Sequence, residues 1–402
     1  MATGDNNFPE LLPISGLRLA TTSAGIKTLE RKDLVLMEMT KGTSVAGIFT
    51  QNAFCAAPVI IAKRHLKIDQ PSYFLINTGN ANAGTGEQGI TDALNCCEKV
   101  ASTVGVETQQ VLPFSTGVIG EPLPVGKILS AIPDMASHLS EAGWADAAEG
   151  ILTTDTRPKG ASQKFTIGTQ QVTISGISKG SGMIRPDMAT MLAYVATDAA
   201  VDEELLHRAL CLAAEKSFNR ITVDGDTSTN DAVMLVATGA SGVEINEDNF
   251  DQFLAQLIEV FVSLAQAIIR DGEGSHKFVS VIVDSAVDTQ EALDVAYTIA
   301  ESPLVKTALT ASDANWGRIL AAIGRAGLNN LDIDKVQISL NSVLIVEQGA
   351  RAPSYKEELG QQAMQSEDIE ILVQLNRGNA KETVWTTDLS YDYVKINAEY
   401  RT

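Results

Sequence analysis

Residues 178–199 read SKGSGMIRPDMATMLAYVATDA. Gly180, Gly182 and Pro186 crowd the front of this stretch, and an unbroken apolar run from Met191 to Ala196 follows. Glycine and proline mark a loop, and a short apolar run bounded by turn residues reads as a buried strand. Thr190 stands at the junction, behind the small Ala189. This order suits an internal cut. In a strained Ala189–Thr190 bond the threonine hydroxyl attacks the carbonyl before it. An N-to-O acyl shift follows, and hydrolysis frees the α-amine of Thr190. An α-amine titrates at about 7.7–8.0, so it can act as base for the hydroxyl of its own residue. The plainer reading is a β-branched residue opening a strand, where its shape fits.

Upstream, KFTIGTQQVTISGISKG alternates around Gly168 to Gln170 and predicts a hairpin. Downstream, VDEELLHRALCLAAEKSF (201–218) predicts an amphipathic helix with acids in its first turn, where the helix dipole favours them. In EDNFDQFLAQLIEVFVSLAQAIIRDGEG the apolar residues Phe250, Phe253, Leu254, Leu257, Phe261, Leu264 and Ile268 recur at three and four, which predicts the longest helix. Strands are predicted at TSVAGIFT, APVIIA, SYFLIN, AVMLVAT and KFVSVIVDSAV, with a short one inside the polar loop NRITVDGDTSTND. Helices are predicted at ITDALNCCEKVASTVG, VGKILSAIPDMASHL and GWADAAEGILTT, and a second hairpin at QISLNSVLIVEQ around Asn341 and Ser342. Strands alternating with helices indicate an α/β or α+β protein. A chain of 402 residues favours two domains. The shift to shorter elements places their boundary between residues 283 and 284, giving 1–283 and 284–402.

A net charge of −20 and a pI near 4.6 repel phosphate backbones and anionic bilayers, which excludes nucleic-acid and membrane partners. No apolar run is expected to reach the ~18–20 residues of a membrane span. Four cysteines without metal or disulfide spacing, and an N-terminus without a secretion pattern, predict a reduced, cytoplasmic chain. Gly84-x-Gly86-x-x-Gly89 has the dinucleotide-binding spelling, but a long polar loop separates it from the strand before it, and a plain loop is the better reading. DGDTSTND (224–231) fails the Ca²⁺-loop pattern, because Thr229 and Leu235 stand where glycine and glutamate are needed. It reads as a solvated or site-lining turn. His65, His138, His207 and His276 are scattered and suggest no Ser-His-Asp set.

KGSGMIRPDMATMLA with VATDA resembles the signature of the ornithine acetyltransferases, or glutamate N-acetyltransferases. FSTGVIGEPLP, ILTTDTRPK, NRITVDGDTSTND, RDGEGSHKF, SPLVKTA, DANWGRILAAIGRAG and the terminal INAEYRT occur in that family's order, so the resemblance spans nearly the whole chain. It implies a large domain of stacked β-sheets flanked by helices, αββα in type and N-terminal-nucleophile-like, plus a smaller C-terminal α/β domain. It implies cleavage between Ala189 and Thr190 into an α chain of residues 1–189 and a β chain from 190, retained in an (αβ)2 assembly. Thr190 then accepts acetyl from N2-acetyl-L-ornithine and passes it to L-glutamate.

The same resemblance assigns the oxyanion hole to Thr116 and Gly117, and substrate contacts to Thr153, Lys179, Thr190, Glu273, Asn397 and Thr402. Thr154 is the near rival of Thr153. Lys179 is the local cation that a substrate carboxylate needs in so acidic a chain, and Glu273 suits the δ-ammonium of ornithine. No metal or bound organic cofactor is implied. Acetyl-CoA is a second donor for some members and stands as the alternative co-substrate. Many members spell the segment P-N-M-A-T, whereas Asp187 here adds negative charge near the scissile bond. The rival readings are an amidase or aminopeptidase of the same superfamily, with water as acceptor, and an uncleaved scaffold.

Overall fold

The computed structural model describes residues 2–4, 7–185 and 191–399, which divide into two compact units. The larger unit takes residues 7–219 and 227–268, the smaller 220–226 and 269 onward with the N-terminal residues. The boundary read at 283/284 falls inside a strand of the smaller unit, Phe278–Ala286.

The strands of the larger unit are β1 (Leu17–Thr22), β2 (Leu34–Met39), β3 (Ser44–Phe49), β4 (Tyr73–Asn80), β5 (Val111–Val118), β6 (Lys159–Ile167), β7 (Gln170–Lys179), β8 (Leu192–Thr197), β9 (Ala200–Val201), β10 (Ala232–Ala237) and β11 (Glu244–Ile245). Its helices are α1 (Ala57–Ile68), α2 (Gly86–Val104), α3 (Val125–Ala136), α4 (Trp144–Gly150), α5 (Glu203–Glu215) and α6 (Phe250–Arg270), whose last turn runs into the smaller unit. One sheet has the order β1-β2-β4-β5 and a second the order β3-β10-β8-β7-β6.

Alternation along the strands makes these two sheets a sandwich. Val35, Met37, Phe74, Ile76, Leu112 and Phe114 of the first sheet share a core with Ile177, Leu192, Tyr194, Ala232 and Met234 of the second. At its centre Phe114 meets Phe74 at 5.4 Å and Tyr194 at 5.3 Å between ring centroids, both edge to face. Each such side chain withdrawn from water contributes roughly 1.5–3 kcal/mol. The alternate residues Leu34, Leu36, Tyr73 and Leu75 face the other way and pack against Cys97 and Val100 of α2 and Ile128 and Ile132 of α3. On the outer face of the second sheet, Leu264 of α6 approaches Gly176 closely, and Phe261 of α6 meets Phe218 at 5.2 Å. The layers run helix, sheet, sheet, helix, as the resemblance implies.

The smaller unit holds β12 (Phe278–Ala286), β13 (Gln337–Leu340), β14 (Val343–Glu347), β15 (Ala350–Arg351), β16 (Asp368–Gln374) and β17 (Ala380–Thr387) in one sheet, ordered β15-β14-β13-β16-β12-β17. Helices α7 (Thr289–Ala300), α8 (Pro303–Thr310), α9 (Trp316–Gly324), α10 (Glu357–Ala363) and α11 (Tyr391–Ala398) complete it. Val281 and Val283 of β12, Ile371 and Val373 of β16, and Ala296 and Ile299 of α7 form its core.

Four sequence expectations change. APVIIA lies in α1, with Pro58 in the first turn, where a missing N–H costs nothing. Its apolar run is too short for periodicity to separate strand from helix. The predicted strand in NRITVDGDTSTND is only an isolated bridge from Ile221 to Trp385. The turn of the first hairpin is Gly168-Thr169, because Ile167 pairs with Gln170. Among the described residues α6, at 21 residues, is long and apolar enough to cross a membrane, contrary to the expectation of no such run. Its apolar side is core: Phe253, Leu257, Phe261, Leu264 and Ile268 are wholly buried.

Candidate active site

β7, β8, β10 and β3 end together. Lys179 pairs with Leu192, Leu192 with Ala232, and Ala232 with Phe49, one row across four strands. The carbonyl of Met191 accepts the Ala232 N–H at 3.0 Å. This is where the chain returns after residues 186–190, so Ala189 and Thr190 lie outside the described residues, as does Thr402.

The first sheet is tied to this row. Asn230, two residues before β10, donates its side-chain amide to the carbonyls of Ala81 (2.6 Å) and Ser115 (2.9 Å). Thr116 follows Ser115 on β5 and is buried. Lys179 Nζ donates to Thr116 Oγ1 at 2.9 Å, which brings together a predicted oxyanion donor and the predicted cation. Gly117 has a φ of +134°, and a Cβ there would overlap the Gly79 carbonyl on β4. Glycine is needed there because the two strands touch.

The TTDT segment reaches the same strand end. Thr154 Oγ1 lies 2.7 Å from Ser181 Oγ, while Thr153 contributes its backbone N–H to Asp155 Oδ2 at 3.0 Å. Asp155 also accepts the Gly180 N–H at 2.7 Å and Lys159 Nζ at 2.6 Å. Burial alone would raise the Asp155 carboxyl, but the ammonium groups of Lys159 and then Lys179 outweigh it and hold it below the usual carboxylate range. Asp231 behaves in the opposite way. Burial raises it well above the usual range, against a hydrogen bond from Ser228 and the charge of Lys179, and its Oδ2 has no partner among the described residues. Two buried acids within electrostatic reach of one lysine are therefore shifted in opposite directions. Neither was singled out from sequence; the acid-rich spelling of DGDTSTND was the only signal for Asp231.

In the smaller unit, Glu273 is 7% exposed and accepts Asn397 Nδ2 at 2.7 Å. These two predicted contacts are adjacent because Ser390, the N-cap of α11, also donates to the Gly274 carbonyl at 2.6 Å. Gly274 has a φ of +66°, and a Cβ there would overlap the Tyr393 N–H. Tyr393 donates to Asp224 Oδ2 at 3.2 Å. Nearby, Lys306 is fully enclosed, donating to Thr386 Oγ1 at 2.9 Å and to the Thr387 carbonyl. Burial pulls its pKa down to about 8 against the pull of Asp388 and Asp224.

The profile of the ArgJ family matches residues 18–402. The chain is 55% identical over 406 aligned residues, covering 100% of both proteins, to the arginine biosynthesis bifunctional protein ArgJ of Pseudomonas fluorescens (strain Pf0-1). It is 50% identical, again over 406 residues and 100% of both, to the protein of the same name from Psychrobacter arcticus. Among solved structures, ornithine acetyltransferase from Mycobacterium tuberculosis, complexed with ornithine, is 31% identical, is matched over 94% of its chain by 44% of this one, and has a TM-score of 0.39. An end-to-end match at this identity, on a chain that spells the acetyltransferase motifs in order, settles the relationship: this chain belongs to the ArgJ family.

Proposed function

We propose that this chain is a self-cleaving glutamate N-acetyltransferase of arginine biosynthesis. The observation that carries the reading is its identity, across its full length, with proteins named for bifunctional arginine biosynthesis. Cleavage between Ala189 and Thr190 frees the Thr190 amine as base for its own hydroxyl. That hydroxyl attacks the acetyl carbonyl of N2-acetyl-L-ornithine. The C–N bond breaks, the departing α-amine takes a proton, and acetyl remains as an ester on Thr190. The α-amine of L-glutamate then attacks the ester, releasing N-acetylglutamate and restoring the hydroxyl.

The Thr116 hydroxyl and the Gly117 N–H face the oxyanion formed in both halves. Lys179, held 2.9 Å from Thr116, is suited to a substrate carboxylate. The paired Glu273 and Asn397 are suited to an ammonium group. Thr153 and Thr402 complete the proposed contacts. The scheme requires no metal and no bound organic cofactor, and acetyl-CoA is a second donor within it. An (αβ)2 assembly and a cytoplasmic location go with this reading, and the four cysteines are free thiols.

Intact-mass measurement after incubation with N-acetylornithine tests it. The expected result is one acetyl group on the fragment beginning at Thr190, lost on adding glutamate. Full-speed transfer by a chain unbroken at residue 189 would overturn it. Loss of the acetyl group without any need for glutamate would make the protein an amidase.

A further inference from the structure

One buried carboxylate, outside the substrate and oxyanion contacts proposed above, fastens three segments at the Lys179 end of the larger unit. The side chain of Asp155 is 0% exposed and that of Lys159 1%, and they meet at 2.6 Å. The same Oδ1 accepts the Gly180 N–H at 2.7 Å, and Oδ2 accepts the Thr153 N–H at 3.0 Å. Lys159 opens β6 and also reaches the Arg157 carbonyl at 3.3 Å. Asp155 thus ties the turn before β6, the first residue of β6 and the residue that follows β7.

The bond to Gly180 matters most. Lys179 is the last residue of β7 in the ladder, paired with Leu192. A fixed N–H at Gly180 fixes the peptide plane that begins at Lys179, and with it the direction in which the lysine leaves the sheet. Thr154 Oγ1 against Ser181 Oγ at 2.7 Å is a second tie between the same turn and the same strand end. The carboxylate also lies within electrostatic reach of Lys179 itself. Lys179 in turn donates to Thr116 Oγ1 at 2.9 Å. A hydroxyl that accepts on one side turns its own hydrogen elsewhere, which sets where Thr116 can donate.

We propose that Asp155 is a positioning residue for acetyl transfer: through the Gly180 peptide and the charge on Lys179 it places the ammonium that touches Thr116, and so aims the Thr116 hydroxyl. This role rests on the function proposed above. Asparagine at 155 keeps an acceptor for Gly180 but loses the charge and turns a donor toward Lys159.

The test is a double-mutant cycle of Asp155→Asn, Lys179→Met and the pair, with kcat/KM for N-acetylornithine measured per processed chain at temperatures well below melting. Asp155→Asn is expected to lower kcat/KM about 10²-fold, the scale of a small misplacement at a reacting centre. In the Lys179→Met background it should add nothing beyond about threefold. A purely structural role would instead lower the melting temperature and leave the two losses multiplicative. If Asp155→Asn alone does not fold, the cycle is run with Lys159→Gln in all four chains, which removes the stranded charge. A folded Asp155→Asn chain that never cleaves itself would place the residue in processing instead and overturn the role in transfer. Folded Asp155→Asn chain with parental kcat/KM, or losses that multiply, overturn the role alone. A parent chain that moves no acetyl group overturns the function, and this role with it.

Discussion

Gly117 shows how tightly a single position is specified. Its φ of +134° and the overlap a Cβ would make with Gly79 leave no room for alanine. A non-glycine in such a conformation costs of order 1–3 kcal/mol before the overlap is counted. Gly117→Ala is expected to lower both the melting temperature and kcat, the latter by about 10²-fold or more; a variant with parental kcat would remove Gly117 from the oxyanion site. Asp231 carries a different expectation. Its carboxyl is raised in the folded chain, so the native state binds more protons than the unfolded one above the ordinary carboxylate pKa. Its contribution is whole at acid pH and is lost as pH rises toward the folded value. Asp231→Asn, which mimics the protonated acid, should therefore gain melting temperature over the parent as pH goes from about 5 to about 8. A growing loss over that range would mean the carboxylate is ionised. Thr116, Gly117 and Lys179 were legible as spelled motifs. Asp155 and Asp231 were not, because an acid in a polar loop reads the same whether it ends in solvent or is enclosed beside lysines brought from other strands.

At the scale of elements, α11 depends on a close approach that sequence does not announce. Gly274, at a φ of +66°, lets the turn carrying Glu273 lie against the start of α11, and Asn397 is placed by that helix. Gly274→Ala should push the helix away and raise KM for N-acetylornithine about tenfold, the worth of one hydrogen bond to a charged group, with a smaller effect on kcat. Steady-state kinetics on the folded variant decides it; an unchanged KM would detach Glu273 and Asn397 from donor binding. Elements with a clear period were readable, such as α5, whose Asp202 N-cap accepts from Leu205, and the hairpin that turns at Asn341 and Ser342. APVIIA was not, because so short an apolar run fits either period and only the continuation through His65 to Ile68 makes the helix. Which strands share a sheet was also beyond sequence, since β3 joins β10 across nearly two hundred residues.

For the molecule as a whole, the order β3-β10-β8-β7-β6 has a consequence for a chain cut after residue 189. β3, β6 and β7 precede that point, and β8 and β10 follow it. Two of the four junctions in the sheet, β3 with β10 and β7 with β8, would then be made between separate polypeptides. Such halves could not drift apart without tearing six residue pairs at each junction. Produced alone, each would carry raw strand margins with no mate, a recipe for precipitation. Segments 1–189 and 190–402 made singly should therefore be insoluble, while co-production should yield a soluble, co-migrating pair on gel filtration; two soluble, independent halves would contradict the braid. The scissors, on this view, must act last, because the sheet that would present the bond to them exists only once both sides are woven together.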